Sequence, residues 1–179
     1  MNQTDTAILC LLFLLILAAG TVAAAVLLIH HQNEKEKYLR AAKNLVQEEL
    51  LNYALCTPGT GGAPPPARRP MLYLRANTDP VQRFVFDPSH PITLGRDPQC
   101  SIFVQDPLIS QQHCRIQARG GQVFLSDNNS SNGTFVQRGL MRCYRVVPGR
   151  PFPLVGGDVI CAGQFRLKIT LFLFDDAVM

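Results

Sequence analysis

The sequence predicts an all-β domain, a sandwich of two antiparallel sheets, preceded by a transmembrane helix and a short helical stalk. Three observations carry that expectation. Residues 7–29 form an unbroken uncharged run of 23 residues. Residues 57–70 are dominated by Gly and Pro. From Met71 onward, short β-like runs alternate with Asp-Pro, Gly-Gly and Asn-Gly pairs, with no convincing helical periodicity.

The apolar run is long enough to span a bilayer, which takes ~20 apolar residues in a helix. A cleavable signal peptide would have a basic start and an apolar core of only ~7–15 residues. This chain opens Met1-Asn2-Gln3-Thr4-Asp5, without Lys or Arg. An uncleaved anchor is therefore expected, with the bilayer as the partner of residues 7–29. Lys35, Lys37, Arg40 and Lys43 follow the run, whereas only Asp5 precedes it. The positive-inside rule then puts residues 1–6 outside and everything after the span in the cytosol, as a single-pass membrane protein. Gly20 and Ala24 are small residues four apart. In an alanine-rich span this spacing reads as coincidence, with close helix pairing as the alternative. His30-His31 reads as a pair in the headgroup layer rather than a metal site.

Residues 33–55 read as an amphipathic stalk. Leu39, Ala42, Val46, Leu50 and Tyr53 recur at three- and four-residue steps. Asn33 is the expected cap, with Glu34 and Glu36 in the first turn. The stripe is too short for a coiled-coil assignment. It is expected to rest on the membrane or on the domain; a homodimer through helix and stalk is the alternative. Residues 56–70 are the expected linker, because Gly and Pro oppose regular structure.

Residues 71–175 hold the expected sandwich. Residues 83–86, 101–104 and 122–125 are short strand-like runs, and residues 166–171 alternate strictly, as a half-buried strand does. A region of this size, ~100 residues, is large enough for its own core.

Composition narrows the function. Lys+Arg number 17 against 13 Asp+Glu, a net charge of +4. No Lys/Arg block interleaved with aromatics occurs, so no nucleic-acid partner is expected. The six cysteines form no CxxC pair, and no histidine stands at zinc-ligand spacing from them. No metal and no cofactor are expected, and the cysteines read as small apolar residues in a reducing compartment.

Three loop signals stand at strand ends, where a rigid sandwich presents its loops to ligands. Gly95-Arg96 follows the strand-like residues 92–94. Ser110-Gln111-Gln112-His113 precedes residues 114–118. Residues 129–135, Asn-Ser-Ser-Asn-Gly-Thr-Phe, lie between two strands. Together the motifs offer a guanidinium fork, hydroxyls and amides, which is an inventory for holding an oxyanion and an extended peptide. Ser110 and His113 do not amount to a hydrolase, which also needs an orienting carboxylate and an oxyanion hole. A Gly-x-Ser-x-Gly elbow is missing as well. The chain is therefore not expected to be an enzyme. Asn-x-Ser/Thr sequons at Asn128, Asn129 and Asn132 fall in the third loop and read as coincidence.

In these motifs the sequence resembles the forkhead-associated (FHA) domain family, over roughly residues 71–174. Gly95-Arg96, Ser110-x-x-His113 and Asn132-Gly133-Thr134 match the family pattern in order and spacing. The resemblance implies an FHA-type sandwich of 11 strands that recognises phosphothreonine peptides. It implies that Arg96 and Ser110 contact the phosphate, that Ser131 adds a donor, and that Asn132 bonds the peptide backbone. Gln111 stands where Asn is frequent in the family. Gly95, His113, Gly133 and Thr134 would shape the loops, His113 as a brace. Leu108, just before the Ser-x-x-His motif, is the candidate for selecting the peptide residue third after the phosphothreonine. The 137–147 segment is longer than usual; its Arg138, Arg142 and Arg145 read as solvated, with an extension of the binding surface as the alternative. The expectation is a membrane-anchored phosphothreonine-binding adaptor. It would dock Ser/Thr-kinase substrates at the cytosolic membrane face, which makes such a kinase an indirect partner. A phosphorylation-independent scaffold of the same fold is the alternative.

Overall fold

The computed structural model describes residues 3–56 and 68–175. Contacts divide the chain into two compact units, Met1–Ala41 and Ala42–Met179. Between the described stretches lies most of the expected linker, and Leu50 and Tyr53 of the expected stripe have side chains outside the described set.

A single helix, α1 (Gln3–Cys56), runs without a break through both the expected span and the expected stalk. The expected cap at Asn33 does not form, because the helix runs through it. Propagating a helix adds one backbone hydrogen bond per residue, whereas restarting one costs a new nucleus. In the first unit, Leu14, Ile16 and Leu27 are 65%, 69% and 69% exposed. This is the one described helix long and apolar enough to cross a membrane, by length and composition. Beyond the apolar run, Lys37 and Arg40 pair with Glu34 and Glu36 one turn back, at 3.3 and 3.1 Å.

The second unit holds 11 strands among the described residues. One sheet has six, in the order β2 (Arg83–Phe86), β1 (Arg68–Ala76), β11 (Phe165–Asp175), β10 (Val159–Ala162), β7 (Thr134–Arg138), β8 (Arg142–Arg145). The other has five, in the order β4 (Ile102–Phe103), β3 (Ile92–Gly95), β5 (Cys114–Arg119), β6 (Gln122–Asp127), β9 (Phe152–Pro153). Two details correct the sequence reading. Strand β1 begins at Arg68, so Arg68, Arg69 and Pro70 belong to the sheet, paired with Asp175, Phe174 and Leu173. The β3–β4 pair is parallel, so the second sheet is mixed.

Strand alternation builds the core. Leu72, Leu74, Leu167, Ile169, Ile160 and Val136 of the six-stranded sheet meet Ile92, Leu94, Ile116 and Leu125 of the other, all nearly free of solvent. Each such side chain contributes ~1.5–3 kcal/mol on burial. The opposite face of the six-stranded sheet is apolar as well. There Met71 and Phe174, with the partly buried Val85 and Phe172, pack against Ala42, Leu45 and Val46 of α1. Part of the stripe expected of the stalk thus rests on the domain.

Strand direction decides which loops meet. Leu94 pairs with Cys114, Cys114 with Asp127, and Thr134 with Ala162. The 96–101, 104–113, 128–133 and 163–164 connections therefore share one end of the sandwich. The β7–β8 tip at Gly139 to Met141 lies at the other end, as does the Arg68–Asp175 pair. Near that far end Arg138 grips Asp158 through Nε and Nη2, each at 2.8 Å, and its guanidinium lies 5.5 Å from the centre of the Phe152 ring.

Candidate functional site

The first loop begins where β3 ends. Gly95 is required there by a close approach: a Cβ on it would lie 1.9 Å from the Gln111 carbonyl oxygen. That approach lets the Asp97 N–H reach the Gln111 carbonyl and the Arg96 N–H reach the Ser110 carbonyl, both at 3.0 Å. The first two loops are thereby stitched backbone to backbone. Arg96 is exposed; its Nε donates to the Ile109 carbonyl at 3.3 Å, and its terminal nitrogens have no partner among the described residues. A fork held at its stem and open at its tip suits a phosphate.

The second loop is braced from beneath. His113 is fully buried, and its Nδ1 accepts the Ser110 N–H at 3.2 Å. Burial lowers the imidazole pKa; the nearby Gly133 carbonyl and the Asp127 carboxylate oppose that shift without cancelling it. The ring is neutral, with the Nδ1 lone pair committed to the loop. Nε2 is buried and meets no acceptor in good hydrogen-bond geometry. Ser110 and His113 are thus joined through the serine backbone, not its hydroxyl, so the pair is not a nucleophile and its base. The Ser110 hydroxyl instead accepts the Ser131 N–H at 3.0 Å and lies 3.5 Å from the Ser131 hydroxyl.

The third loop hangs on a residue that the sequence motifs did not single out. Asp127, buried at the end of β6, accepts the Ser130 N–H at 3.1 Å and the Ser130 hydroxyl at 2.6 Å. It also accepts the buried Thr134 hydroxyl through a short hydrogen bond. An acidic residue closing a strand just before an Asn/Ser/Gly run was the available signal, since such residues hold turns by bonding the N–H groups that follow. Gly133, at φ 77°, makes the left-handed turn into β7. Asn132 is exposed and its amide donates to the Leu108 carbonyl at 2.8 Å. The remaining amide hydrogen and the carbonyl oxygen have no partner among the described residues.

The structure therefore brings Arg96, Ser110, Ser131, Asn132 and Leu108 to one surface through these bonds. Gln111 takes part through its carbonyl; its side chain is exposed and without a hydrogen-bond partner among the described residues. Leu108 is 43% exposed and sits against the β10–β11 turn, its Cβ 3.0 Å from where Gly163 would carry one. The carboxylates of Asp97 and Asp106 cap their own turns, accepting the Gln99 and Leu108 N–H groups at 2.9 and 2.8 Å. Two serine hydroxyls, an amide and an open guanidinium, with the Asp97 and Asp106 carboxylates engaged in their turns, give this surface the donor chemistry that suits an oxyanion.

Comparison with known proteins agrees with this geometry. The FHA domain family model matches residues 92–163. The chain is 31% identical over 116 residues to the oxoglutarate dehydrogenase inhibitor of Corynebacterium efficiens, covering 61% of this chain and 75% of that protein. It is likewise 31% identical over 103 residues to the glycogen accumulation regulator GarA of Mycolicibacterium smegmatis, covering 57% of this chain and 59% of that one. Among solved structures, the FHA domain of an Arabidopsis thaliana hypothetical protein is similar, with a TM-score of 0.51 and 26% identity. That match covers 65% of this chain and 96% of the other. With the family model placed on the strands that carry the three loops, and relatives matched over most of their length, the chain belongs to the FHA domain family.

Proposed function

We propose that this protein is a non-catalytic adaptor that captures phosphothreonine-bearing partner proteins at the cytosolic face of a membrane. The observation that carries the reading is the open Arg96 fork beside the linked hydroxyls of Ser110 and Ser131. The phosphate takes Arg96 and the two serines, the peptide main chain takes Asn132, and Leu108 meets the residue third after the phosphothreonine. Docked proteins are accordingly substrates of a Ser/Thr kinase. Relatives named as an inhibitor and a regulator, not as catalysts, support a regulatory binding role.

Membrane anchoring rests on the first unit. Among the described residues its large apolar side chains are exposed, and exposed apolar surface of that extent calls for lipid or a partner. The basic residues that follow the apolar run support the cytosolic side for the domain, by the positive-inside rule.

The test is a titration of the full chain in detergent with one peptide in phosphothreonine, phosphoserine and unmodified forms. The phosphothreonine form alone should bind well, and Arg96→Ala should weaken it by roughly tenfold or more, as the loss of charge-assisted hydrogen bonds implies. Equal binding of the modified and unmodified peptides by the wild type would point instead to a phosphorylation-independent scaffold.

A further inference from the structure

The long β7–β8 hairpin carries three arginines, and the fold gives each a different fate. Arg138 is committed to Asp158 through two 2.8 Å contacts. Arg142 pairs with Arg138 at the far end of the sandwich. Arg145 lies at the near end: it is exposed, it pairs across the hairpin with Phe135, and it makes no hydrogen bond or ion pair among the described residues. Its guanidinium lies against Gly133, whose missing Cβ would stand 3.3 Å from Nε and 3.5 Å from Nη2. Gly133 follows Asn132, the residue taken to hold the peptide main chain. A second open cation therefore borders the binding surface, supplied by an edge strand rather than by the three motif loops.

We infer that Arg145 forms an anion subsite that selects phosphothreonine peptides bearing a second negative charge, either an acidic side chain or a second phosphate. The inference rests on the phosphopeptide reading of the same surface. Sheet order also fixes the side. Thr134 opens β7, with Ala162 of β10 on one flank and β8 on the other. Leu108 lies beside the turn after Ala162, and Arg145 lies on β8. A peptide crossing Asn132 thus passes Leu108 on one side and Arg145 on the other. With Leu108 meeting the residue after the phosphothreonine, the second anion belongs before it.

The experiment uses the full chain in detergent and a phosphothreonine peptide with alanine flanks. Glutamate, or phosphoserine, is then placed singly at successive positions on either side. The readout is the ratio of affinities, anionic over alanine. In the wild type it should reach about twofold to fivefold on the N-terminal side only, with phosphoserine above glutamate, as expected for an exposed charge-assisted pair. Arg145→Ala should bring the ratio close to one, Arg145→Lys should keep part of it, and Arg145→Glu should invert it toward lysine-bearing peptides. Raising the ionic strength from about 0.1 M to about 1 M shortens the screening length from about 10 Å to about 3 Å and should shrink the ratio. The inference is overturned if the wild type shows no ratio above one, if the ratio survives Arg145→Ala, or if that substitution weakens all peptides by one common factor. Any of these leaves discrimination of phosphothreonine from threonine intact. Loss of that discrimination in the wild type overturns the underlying reading instead, and the inference with it.

Discussion

Asp127→Asn tests whether the third loop is held in shape before a ligand arrives. The substitution keeps size and shape but removes a charge and one acceptor. The carboxylate accepts from three donors, Ser130 N–H, Ser130 Oγ and Thr134 Oγ1, and is only 5% exposed. An amide oxygen placed at the Oδ1 position keeps both hydroxyls but turns an NH2 group toward the Ser130 N–H, donor against donor. The other flip keeps the Ser130 N–H bond but sets the NH2 group against both hydroxyls, which must turn to accept in place of donating to a charge. At least one charge-assisted bond is lost in a buried setting, which costs about 1.5–3 kcal/mol. For a domain of this size each 1 kcal/mol lowers Tm by roughly 4–8 °C. The melting temperature of the sandwich should therefore fall by roughly 6–24 °C on those figures. Phosphopeptide affinity should fall with it even at temperatures where the variant is fully folded, because Ser131 and Asn132 follow the anchored Ser130. Thermal melts by circular dichroism and peptide titration, on the same samples, read both. A variant with wild-type Tm would show that Asp127 does not hold the loop. A destabilised variant with wild-type affinity would show that the loop is shaped elsewhere.

Two further outcomes follow from the same structure. Burial lowers the His113 pKa below its ordinary value, so below about pH 6.5 the unfolded chain takes up a proton that the native ring resists. Its contribution to stability is complete above that pH and falls as the pH drops through the folded pKa, where Nδ1 can no longer accept the Ser110 N–H. Wild-type Tm should fall between about pH 7 and pH 5 more steeply than that of His113→Asn, and equal slopes would refute the buried neutral imidazole. Asp158 does not confuse that window. Burial alone would raise its carboxyl, but the hydrogen bonds from Arg138 and the Val155 N–H outweigh burial and hold it low, so its contribution is lost only below about pH 4. Topology can be read from a native thiol. Cys143 is exposed, whereas Cys114 and Cys161 are buried and the Cys114 thiol is pushed up to about 12 by burial. A membrane-impermeant maleimide should leave Cys143 unlabelled in intact cells and label it after permeabilisation, with that label absent in Cys143→Ser. Labelling of Cys143 in intact cells would place the domain outside.

Local pattern was enough for much of this protein. Strict alternation over residues 166–171 marked a half-buried strand, now the middle of β11. The order of Gly95-Arg96, Ser110-x-x-His113 and Asn132-Gly133-Thr134 marked the loops that meet at one end. These are short-range signals: side-chain periodicity follows from backbone geometry, and turn residues act within a few positions of themselves. Other features depend on partners distant in sequence. Arg68 to Pro70 read as linker until Leu173 to Asp175 supplied an antiparallel partner. The β3–β4 pair is parallel because the chain crosses over before pairing, which no local pattern encodes. Asn33 carries a capping side chain, yet a helix already propagating does not stop for one residue. The three hairpin arginines look alike in sequence. The hairpin register places Arg138 on Asp158 and Arg145 beside Gly133, and charge follows position. Asp127 is likewise one carboxylate among many until the β6–β7 turn folds three donors onto it. Local sequence pattern marked the all-β class and the three loop motifs; through-space pairing decided which side chains remain free.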